Sequence, residues 1–262
     1  LPYIRAFRAL GWEVDAACGG APCELPGVRR VIPLPFQKKM SSPKNFFAAK
    51  ELRRVISGEH YDLISTHTSL AAFFTRLAVR GLKDRPTVVN TAHGYLFDAQ
   101  TPALKRNILL GAERLTAPQT DLLMTMNEWD YQTALRYRLG GRVVSIPGIG
   151  VDFSRLSQGE GQDGLASAVR RELGVGGEDF LLIYAAEFSK RKSQEVLLRA
   201  MAMLPGHIKL VLAGEGALLE ECRALARSLG LEGRVFFPGY LSNMPLWYRA
   251  ADAAVSASRS EG

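Results

Sequence analysis

Short apolar segments alternate with amphipathic ones along the chain, and one junction between them is informative. The segment Phe180–Ala186 is apolar without polar alternation, which is typical of a parallel strand covered on both faces. Ser189–Ser193 follows and is polar and basic, after which Val196, Leu197 and Ala200 recur at helical spacing. A strand, a basic turn and a helix in this order bring N–H and ammonium groups to one helix N-terminus, where phosphate binds. A solvated basic turn is the alternative interpretation.

The same alternation predicts two successive sets of strands and helices. In the first half, the predicted strands are Trp12–Ala16, Val28–Leu34, Asp62–His67, Pro86–Thr91, Asp121–Met126 and Val143–Ile146. The predicted helices there are Leu1–Leu10, Asn45–Ser57, Leu70–Arg80, 104–116 and Asp130–Leu139. After the strand Phe180–Ala186 and the helix that carries Val196, Leu197 and Ala200, the second half adds strands at 208–213, 235–237 and 252–256. Its other helices are expected at 165–173, 218–229 and 244–251.

A stretch rich in Ser, Gly, Gln and Asp, residues 153–167, separates the two sets and has the character of a linker. We therefore expect an α/β protein with two Rossmann-like parallel-sheet domains, residues 1–150 and 151–262, which face a cleft. The chain opens inside a predicted helix without an initiating Met and ends abruptly at Gly262. We expect both ends to be cut from a longer protein.

Composition narrows the class of protein. An apolar fraction of 47% and a charged fraction of 23% indicate a globular protein and exclude a disordered one. No stretch approaches the roughly 18 apolar residues of a membrane-spanning helix, so the expected protein is soluble or peripheral. The three cysteines have no ligand spacing, which favours a reduced cytoplasmic setting.

Positive charge is concentrated in the first half. Residues 1–150 hold 20 Lys and Arg against 12 Asp and Glu, whereas residues 151–262 hold 13 against 14. A basic half suggests an anionic membrane surface, a phosphorylated acceptor or nucleic acid as the partner. Nucleic acid is the weakest of these because the basic residues are scattered and no nucleic-acid-binding motif is present. Lysines and phenylalanines around Asn45–Ser57 fit either a lipid headgroup layer or a solvated helix face.

Two histidines end predicted strands. His93 follows the strand Pro86–Thr91 and precedes Gly94. The carboxyl ends of parallel strands are the edge at which such sheets hold ligands, so we interpret His93 as functional. For His67, which ends the preceding strand, the structural interpretation is favoured. The turn Gly214–Gly216 after the strand 208–213 would let backbone approach a ligand.

Seven short motifs taken together are similar to one known family. They are Thr91–Phe97, Asn127–Asp130, Ile146–Asp152, Phe188–Lys192, Leu212–Gly216, Val235–Gly239 and Ser258–Gly262. In this order they resemble the retaining glycosyltransferases of family 4, of GT-B fold, and in particular the branch that builds capsular and exopolysaccharides. The resemblance implies that the second domain holds a nucleoside-diphosphate sugar (UDP- or GDP-sugar) and that the first domain holds the acceptor.

The resemblance also implies roles in binding the donor diphosphate. Lys192 matches the lysine that neutralises it. Glu187 stands where most relatives have an arginine, and Lys190 or Arg191 would supply the missing charge.

Further roles concern the sugar and the base. His93 matches the histidine near the reacting sugar carbon, and Glu261 matches the first glutamate of the E-x7-E motif, which contacts sugar hydroxyls. Gly239 matches the region that lines the base pocket, while Gly214 and Gly216 belong to the donor site. The second glutamate and the first strand with its Gly-rich loop are expected outside residues 1–262, so we expect the trimmed chain to be inactive.

Sugar transfer builds negative charge on the departing diphosphate, where preorganised cations are most effective. No Asp-x-Asp motif occurs, which predicts transfer without a metal or other cofactor. The basic first half favours a polyprenyl-diphosphate-linked acceptor at the inner face of the cell membrane. The alternatives are a GT-B epimerase, a soluble transferase that makes a small metabolite, and a non-catalytic nucleotide-sugar-binding protein, for which Glu187 is the main argument.

Overall fold

The computed structural model describes residues 2–20, 24–37, 39–148, 150 and 163–259. The chain divides into two compact units, Leu1–Ile149 and Gly150–Glu261. Every strand pair in the described ranges is parallel. Parallel neighbours need a crossover between them. Helices provide it for the other pairs, whereas the described residues between Asp15–Cys18 and Arg30–Pro33 form no helix. None of the helices in these ranges combines the length and apolarity needed to cross a membrane.

The first unit alternates strands and helices. Its strands are β1 (Asp15–Cys18), β2 (Arg30–Pro33), β3 (Leu63–His67), β4 (Thr87–Ala92), β5 (Leu122–Thr125) and β6 (Arg142–Ser145). Its α-helices are α1 (Pro2–Ala9), α2 (Pro43–Gly58), α3 (Ser69–Val79), α4 (Ala103–Thr116) and α5 (Glu128–Tyr137), and a short 3-10 turn covers Ala117–Gln119. Strands β3 to β6 form a four-stranded sheet in sequence order, and β1 pairs with β2 separately.

The core of the first unit lies on both faces of β4. Near its amino end, α2 and α3 bury Leu52 and Val79 against Val88 of β4. Toward its carboxyl end, Ala92, on the same face as Val88, packs in a cluster with α5 and β5 residues, and Thr91 is buried on the opposite face. Because both faces are covered, the strand is held rigidly up to its carboxyl end.

Strand β1 begins three residues later than the expected Trp12–Ala16. Its pairing with β2 starts at Asp15 opposite Arg30, and the Asp15 carboxylate is fixed there by Arg29, Arg30 and Tyr61 at 2.6–3.0 Å. The alternation of apolar residues predicted the strand but not the hydrogen bonds that fix Asp15. A cavity of about 310 Å³ borders β1 and β3, and its lining is mostly apolar but includes Ser65 and His67 among the polar groups.

The second unit repeats the alternation. Its strands are β7 (Phe180–Ala185), β8 (Ile208–Ala213), β9 (Val235–Gly239) and β10 (Ala253–Ala254). Its helices are α6 (Asp163–Glu172), α7 (Gln194–Met203), α8 (Leu219–Ser228) and α9 (Met244–Ala250). The strand order is β10-β7-β8-β9, so β7 and β8 are central and their side chains are among the most deeply buried.

Two details of the second unit differ from expectation. Helix α7 buries Gln194, Leu198 and Met201, whereas Val196 is 50% exposed. The helical spacing of Val196, Leu197 and Ala200 therefore identified the helix but not its buried face. Strand β9 also continues through Pro238 and Gly239, which were expected to end it, because Gly239 pairs with Ala213 beyond a bulge.

Candidate functional site

The carboxyl ends of three strands of the second unit meet at one edge of its sheet. The N–H of Phe188 donates to the Glu215 carbonyl at 2.8 Å, which joins the segment after β7 to the segment after β8. The N–H of Gly214 donates to the Gly239 carbonyl at 2.7 Å, which joins the segment after β8 to the end of β9. The structure thus brings the predicted donor-site residues together, namely Glu187, Lys190, Arg191, Lys192, Gly214, Gly216 and Gly239.

Gly214 and Gly216 are required by the chain itself. Their φ angles are +138° and +150°, a region that side-chain-bearing residues rarely adopt. A Cβ at Gly214 would collide with the Ala186 carbonyl, and one at Gly216 with the backbone of Phe188. The segment after β7 therefore approaches both glycines closely, and the expected approach of a ligand to this turn stays a prediction.

The basic turn, Ser189–Ser193, has a tight hydrogen-bonded geometry. The N–H groups of Lys192 and Ser193 both donate to the Ser189 carbonyl, at 3.0 and 3.2 Å. Ser193 is left-handed, with φ +49°, and its hydroxyl donates to the Lys190 carbonyl at 3.0 Å. Its side chain makes no cap bond to α7. The helix therefore starts at the basic turn with its positive dipole end uncapped by that serine.

The side chains of the turn differ in exposure. Lys190 and Arg191 are exposed, and Lys192 is half-buried. The Lys192 carbonyl accepts from the hydroxyl of buried Tyr184 at 3.1 Å. Glu187 is exposed, and its carbonyl accepts from the amide of Gln194 at 2.9 Å. Two side chains from β7 and α7 thus hold the backbone of the turn from inside the unit.

Arg259 joins this site, although its motif gave it no role. Its N–H donates to the Arg191 carbonyl and its Nε to the Ser193 hydroxyl, both at 2.9 Å. Its Nη2 forms an ion pair with Glu195 at 3.5 Å. A contact across 66 residues leaves no local sequence signal. Glu261, predicted to contact the donor sugar, lies outside the described residues.

In the first unit, His93 lies just beyond the carboxyl end of β4 and contacts His67. Nδ1 of His67 is 3.0 Å from Nε2 of His93, and the ring centroids are 5.3 Å apart. The sequence favoured a structural role for His67 and did not reveal this contact. Burial, and secondarily the charge of His93, lower the pKa of His67 below its ordinary value, so His67 is neutral at pH 7.

The rest of the Thr91–Phe97 motif is largely core. Tyr95 stacks on buried Phe97 with ring centroids 5.2 Å apart. Burial first, and then the carboxylates of Glu113 and Asp130, raise the pKa of the Tyr95 phenol. Tyr95 is therefore neutral and helps to pack the segment that carries His93.

Two family models match the chain. Residues 3–155 match the model described as Glycosyltransferase Family 4, and residues 167–262 match the model described as Glycosyl transferases group 1. A similar protein is EpsD of Bacillus subtilis (strain 168), a glycosyltransferase by name. It is 35% identical over 270 residues, which cover 100% of this chain and 69% of EpsD.

Solved structures show the same architecture. Sucrose-phosphate synthase from Thermosynechococcus elongatus superposes with a TM-score of 0.74 at 22% identity, over 99% of this chain and 70% of that one. Anabaena Alr3699/HepE in complex with UDP and glucose gives a TM-score of 0.70 at 21% identity, over 88% of this chain. The match spans 61% of the HepE chain.

The parallel-sheet units and these structural matches define a glycosyltransferase fold of the GT-B type. The chain belongs to glycosyltransferase family 4. The predictions of fold class and family are confirmed.

Proposed function

We propose that the protein is a retaining glycosyltransferase that moves a sugar from a nucleoside-diphosphate sugar to a lipid-linked saccharide in cell-surface polysaccharide synthesis. The observation that carries this proposal is the basic turn at the N-terminus of α7, where Lys190, Arg191 and Lys192 meet the positive end of a helix dipole. Such an arrangement stabilises a departing diphosphate because it is organised before the charge develops.

In the proposed reaction, the bond between the anomeric carbon and the diphosphate oxygen breaks. The acceptor hydroxyl forms the new bond to that carbon on the same face, and its proton passes to a phosphate oxygen of the leaving diphosphate. Lys192 neutralises the leaving group, with Lys190 or Arg191 in place of the arginine that Glu187 replaces. These protein cations give the transfer its independence of a metal ion.

The remaining donor contacts follow from the motif positions. His93 orients the sugar and stabilises the charge that develops at its anomeric carbon. Glu261 contacts sugar hydroxyls, and the backbone near Gly239 lines the base pocket. Gly214 and Gly216 maintain the shape of the donor site by letting the segment after β7 pack on them.

Relatives support a UDP-sugar donor and a lipid-linked acceptor. The HepE structure contains UDP and glucose. An Escherichia coli protein, 22% identical over 86% of this chain and 59% of its own length, is named UDP-Gal:alpha-D-GlcNAc-diphosphoundecaprenol alpha-1,3-galactosyltransferase. The basic excess of residues 1–150 favours an anionic acceptor at the inner membrane face.

The decisive variant is Lys192→Gln in the complete protein, assayed with UDP- and GDP-sugars and a polyprenyl-diphosphate-linked sugar. We expect kcat to fall about 10²–10³-fold, as when one preorganised group at a developing anion is removed. Lys83→Gln, at an exposed lysine of the first unit, is the matched control and keeps wild-type turnover. Treatment of the wild type with EDTA leaves turnover unchanged.

Equal turnover of Lys192→Gln and Lys83→Gln would contradict the role of the basic turn. Donor binding without any single-turnover consumption would indicate a non-catalytic binding protein. Interconversion of the donor sugar without transfer would indicate an epimerase.

One observation favours a second candidate function, transfer to a small phosphorylated polyol. A protein of Actinosynnema mirum named D-inositol 3-phosphate glycosyltransferase is 30% identical over 98% of this chain and 68% of its own length. A phosphorylated polyol would also suit a basic acceptor half. Product analysis with lipid-linked sugars and with inositol phosphate, offered separately, distinguishes the two acceptors.

A further inference from the structure

The contact between His67 and His93 joins two neighbouring strands at the carboxyl edge of the first sheet. We infer that His67 is a positioning residue that fixes the ring orientation and the tautomer of His93. The inference rests on the proposed function for the role of His93 at the sugar. It concerns a residue that does not itself reach the reacting atoms.

The fold presents the two rings to each other by register. His67 is the last residue of β3 and lies opposite Thr91 of β4. His93 comes two residues after Thr91 along the chain. The Nδ1–Nε2 distance of 3.0 Å is that of a hydrogen bond. The segment that carries His93 is anchored by buried Thr91, Ala92 and Phe97, so the contact is made from rigid backbone on both sides.

His67 is itself held from two further directions. The ring of Tyr3, from α1, has its centroid 5.4 Å from the His67 ring. The hydroxyl of Ser65 lies 3.4 Å from Nε2 of His67, at the nitrogen that His93 does not use. His67 is therefore restrained by the ring of Tyr3, the hydroxyl of Ser65 and the ring of His93.

The contact between the two imidazole rings determines where a proton is held. A neutral ring has one N–H donor and one acceptor nitrogen, so two neutral rings at 3.0 Å place a single proton between them. Whichever ring donates, the other nitrogen of each ring is then fixed as donor or acceptor. Ser65 suits both arrangements because a hydroxyl donates or accepts. Nδ1 of His93 has one hydrogen-bonding role in each arrangement, and that role changes only if both rings change tautomer together.

A histidine that only filled space would leave a different signature. Its loss would loosen packing and lower stability, but the tautomer of His93 and the turnover of folded protein would not change. A positioning role predicts that both change, and that a side chain with an amide at the place of Nδ1 restores them. Asparagine has this geometry, whereas leucine has similar bulk without a polar atom.

The test uses the complete protein with ¹⁵N-labelled histidine, at a pH where both rings are neutral. In the wild type we expect the nitrogen signals of His93 to report one tautomer. In His67→Leu we expect the averaged signals of two tautomers and a fall in kcat of about 10–100-fold, with little change in the KM for the donor. His67→Asn is expected to keep one tautomer and stay within about threefold of wild-type kcat. His60→Asn, at an exposed histidine, is the control for the substitution.

Averaged tautomers of His93 in the wild type, or a single unchanged tautomer in folded His67→Leu, would overturn the inference. If His67→Leu does not fold, the inference is still tested by the wild-type spectrum and by the spectrum and kcat of His67→Asn. Failure of the proposed function can be distinguished from failure of this inference. A wild type without transfer activity would still show a single tautomer of His93 if the inference holds.

Discussion

Arg76 is the largest side chain that the described residues bury completely, and its charge is balanced within the first unit. Its Nη2 is 2.7 Å from the Glu113 carboxylate, and its Nε donates to the Ala72 carbonyl at 3.1 Å. The pair links α3 to α4. Because its partner is also nearly buried, removal of Glu113 would leave a cation without compensation in the interior.

We therefore expect Glu113→Ala to lower the free energy of unfolding by about 3–5 kcal/mol, measured by urea titration. The control is Glu51→Ala, which breaks the exposed ion pair of Glu51 with Arg54 at 2.9 Å and should cost at most about 1 kcal/mol. Equal losses in the two variants would show that the buried charge is compensated by other groups.

The lowered pKa of His67 leads to a prediction about how stability depends on pH. Its pKa in the native state is lowered, by burial and by the charge of His93, so the unfolded chain binds a proton at His67 before the native state does. Stability should therefore decrease as pH falls below the ordinary pKa of about 6.5. In His67→Asn this part of the decrease is absent, while His93, Tyr3 and Ser65 remain around the site. Parallel stability curves of the two proteins between pH 7.5 and about pH 5.5 would contradict this assignment.

The place of single residues in the fold could be predicted where it follows from local order. The lysine of the basic turn and the histidine after β4 were located because a strand, a polar break and a helix are visible in sequence. The partners of these residues were not. Arg259 reaches Ser193 across 66 residues and His67 reaches His93 across 26, and such contacts depend on sheet register, which one sequence does not encode locally.

At the scale of elements, the glycine turn Gly214–Gly216 has a structural reason that can be tested. Gly216→Ala would force a Cβ into the backbone of Phe188 and strain a φ of +150°. We expect a loss of about 2–5 kcal/mol in the free energy of unfolding, from overpacking and from backbone strain together.

The control for this variant is Gly206→Ala, in the turn before β8, where a Cβ meets nothing within 4 Å. It should change stability by less than about 1 kcal/mol. If Gly216→Ala were as stable as the control but failed to bind donor, the result would support the interpretation of the turn as a ligand contact.

Element type was easier to predict than element orientation. The helix expected at 104–116 is Ala103–Thr116, and the helix expected at 218–229 is Leu219–Ser228, because the period of apolar residues is a local signal. The buried face of α7 was missed because the Gln194 amide, held by the Glu187 carbonyl, helps to set the rotation of the helix. The strand expected before residue 1 stays a prediction.

At the scale of the whole molecule, the strongest sequence signal was the order of seven weak motifs. In the described residues, these motifs lie at a strand end or in the segment that follows it, except Val235–Gly239, which is β9 itself. Their order therefore reflects an alternating α/β chain. The family and fold followed from that order, whereas the donor, the acceptor and the membrane partner are properties of surfaces and remain proposals.

The membrane proposal yields the last prediction. Helix α2 presents Phe47, 68% exposed, together with exposed Lys44 and Lys50, within a unit whose basic residues outnumber its acidic ones. An exposed aromatic ring beside lysines suits the boundary between headgroups and acyl chains of an anionic bilayer. We expect the complete protein to bind vesicles that contain anionic lipid, and to bind neutral vesicles much less.

Salt should weaken this binding, because the Debye length falls from about 10 Å at 0.1 M to about 3 Å at 1 M ionic strength. The double variant Lys44→Gln/Lys50→Gln should lose about 2 kcal/mol, at about 1 kcal/mol per charge near the surface, which is roughly a thirtyfold loss of affinity. Phe47→Ser should weaken binding with little change in its salt dependence, since it removes apolar contact and no charge. Met203→Ser, at a residue of the second unit that is 87% exposed, is the matched control. Vesicle binding that does not depend on salt or lipid charge would show that α2 is a solvated helix face. The same conclusion would follow if Met203→Ser weakened binding as much as Phe47→Ser.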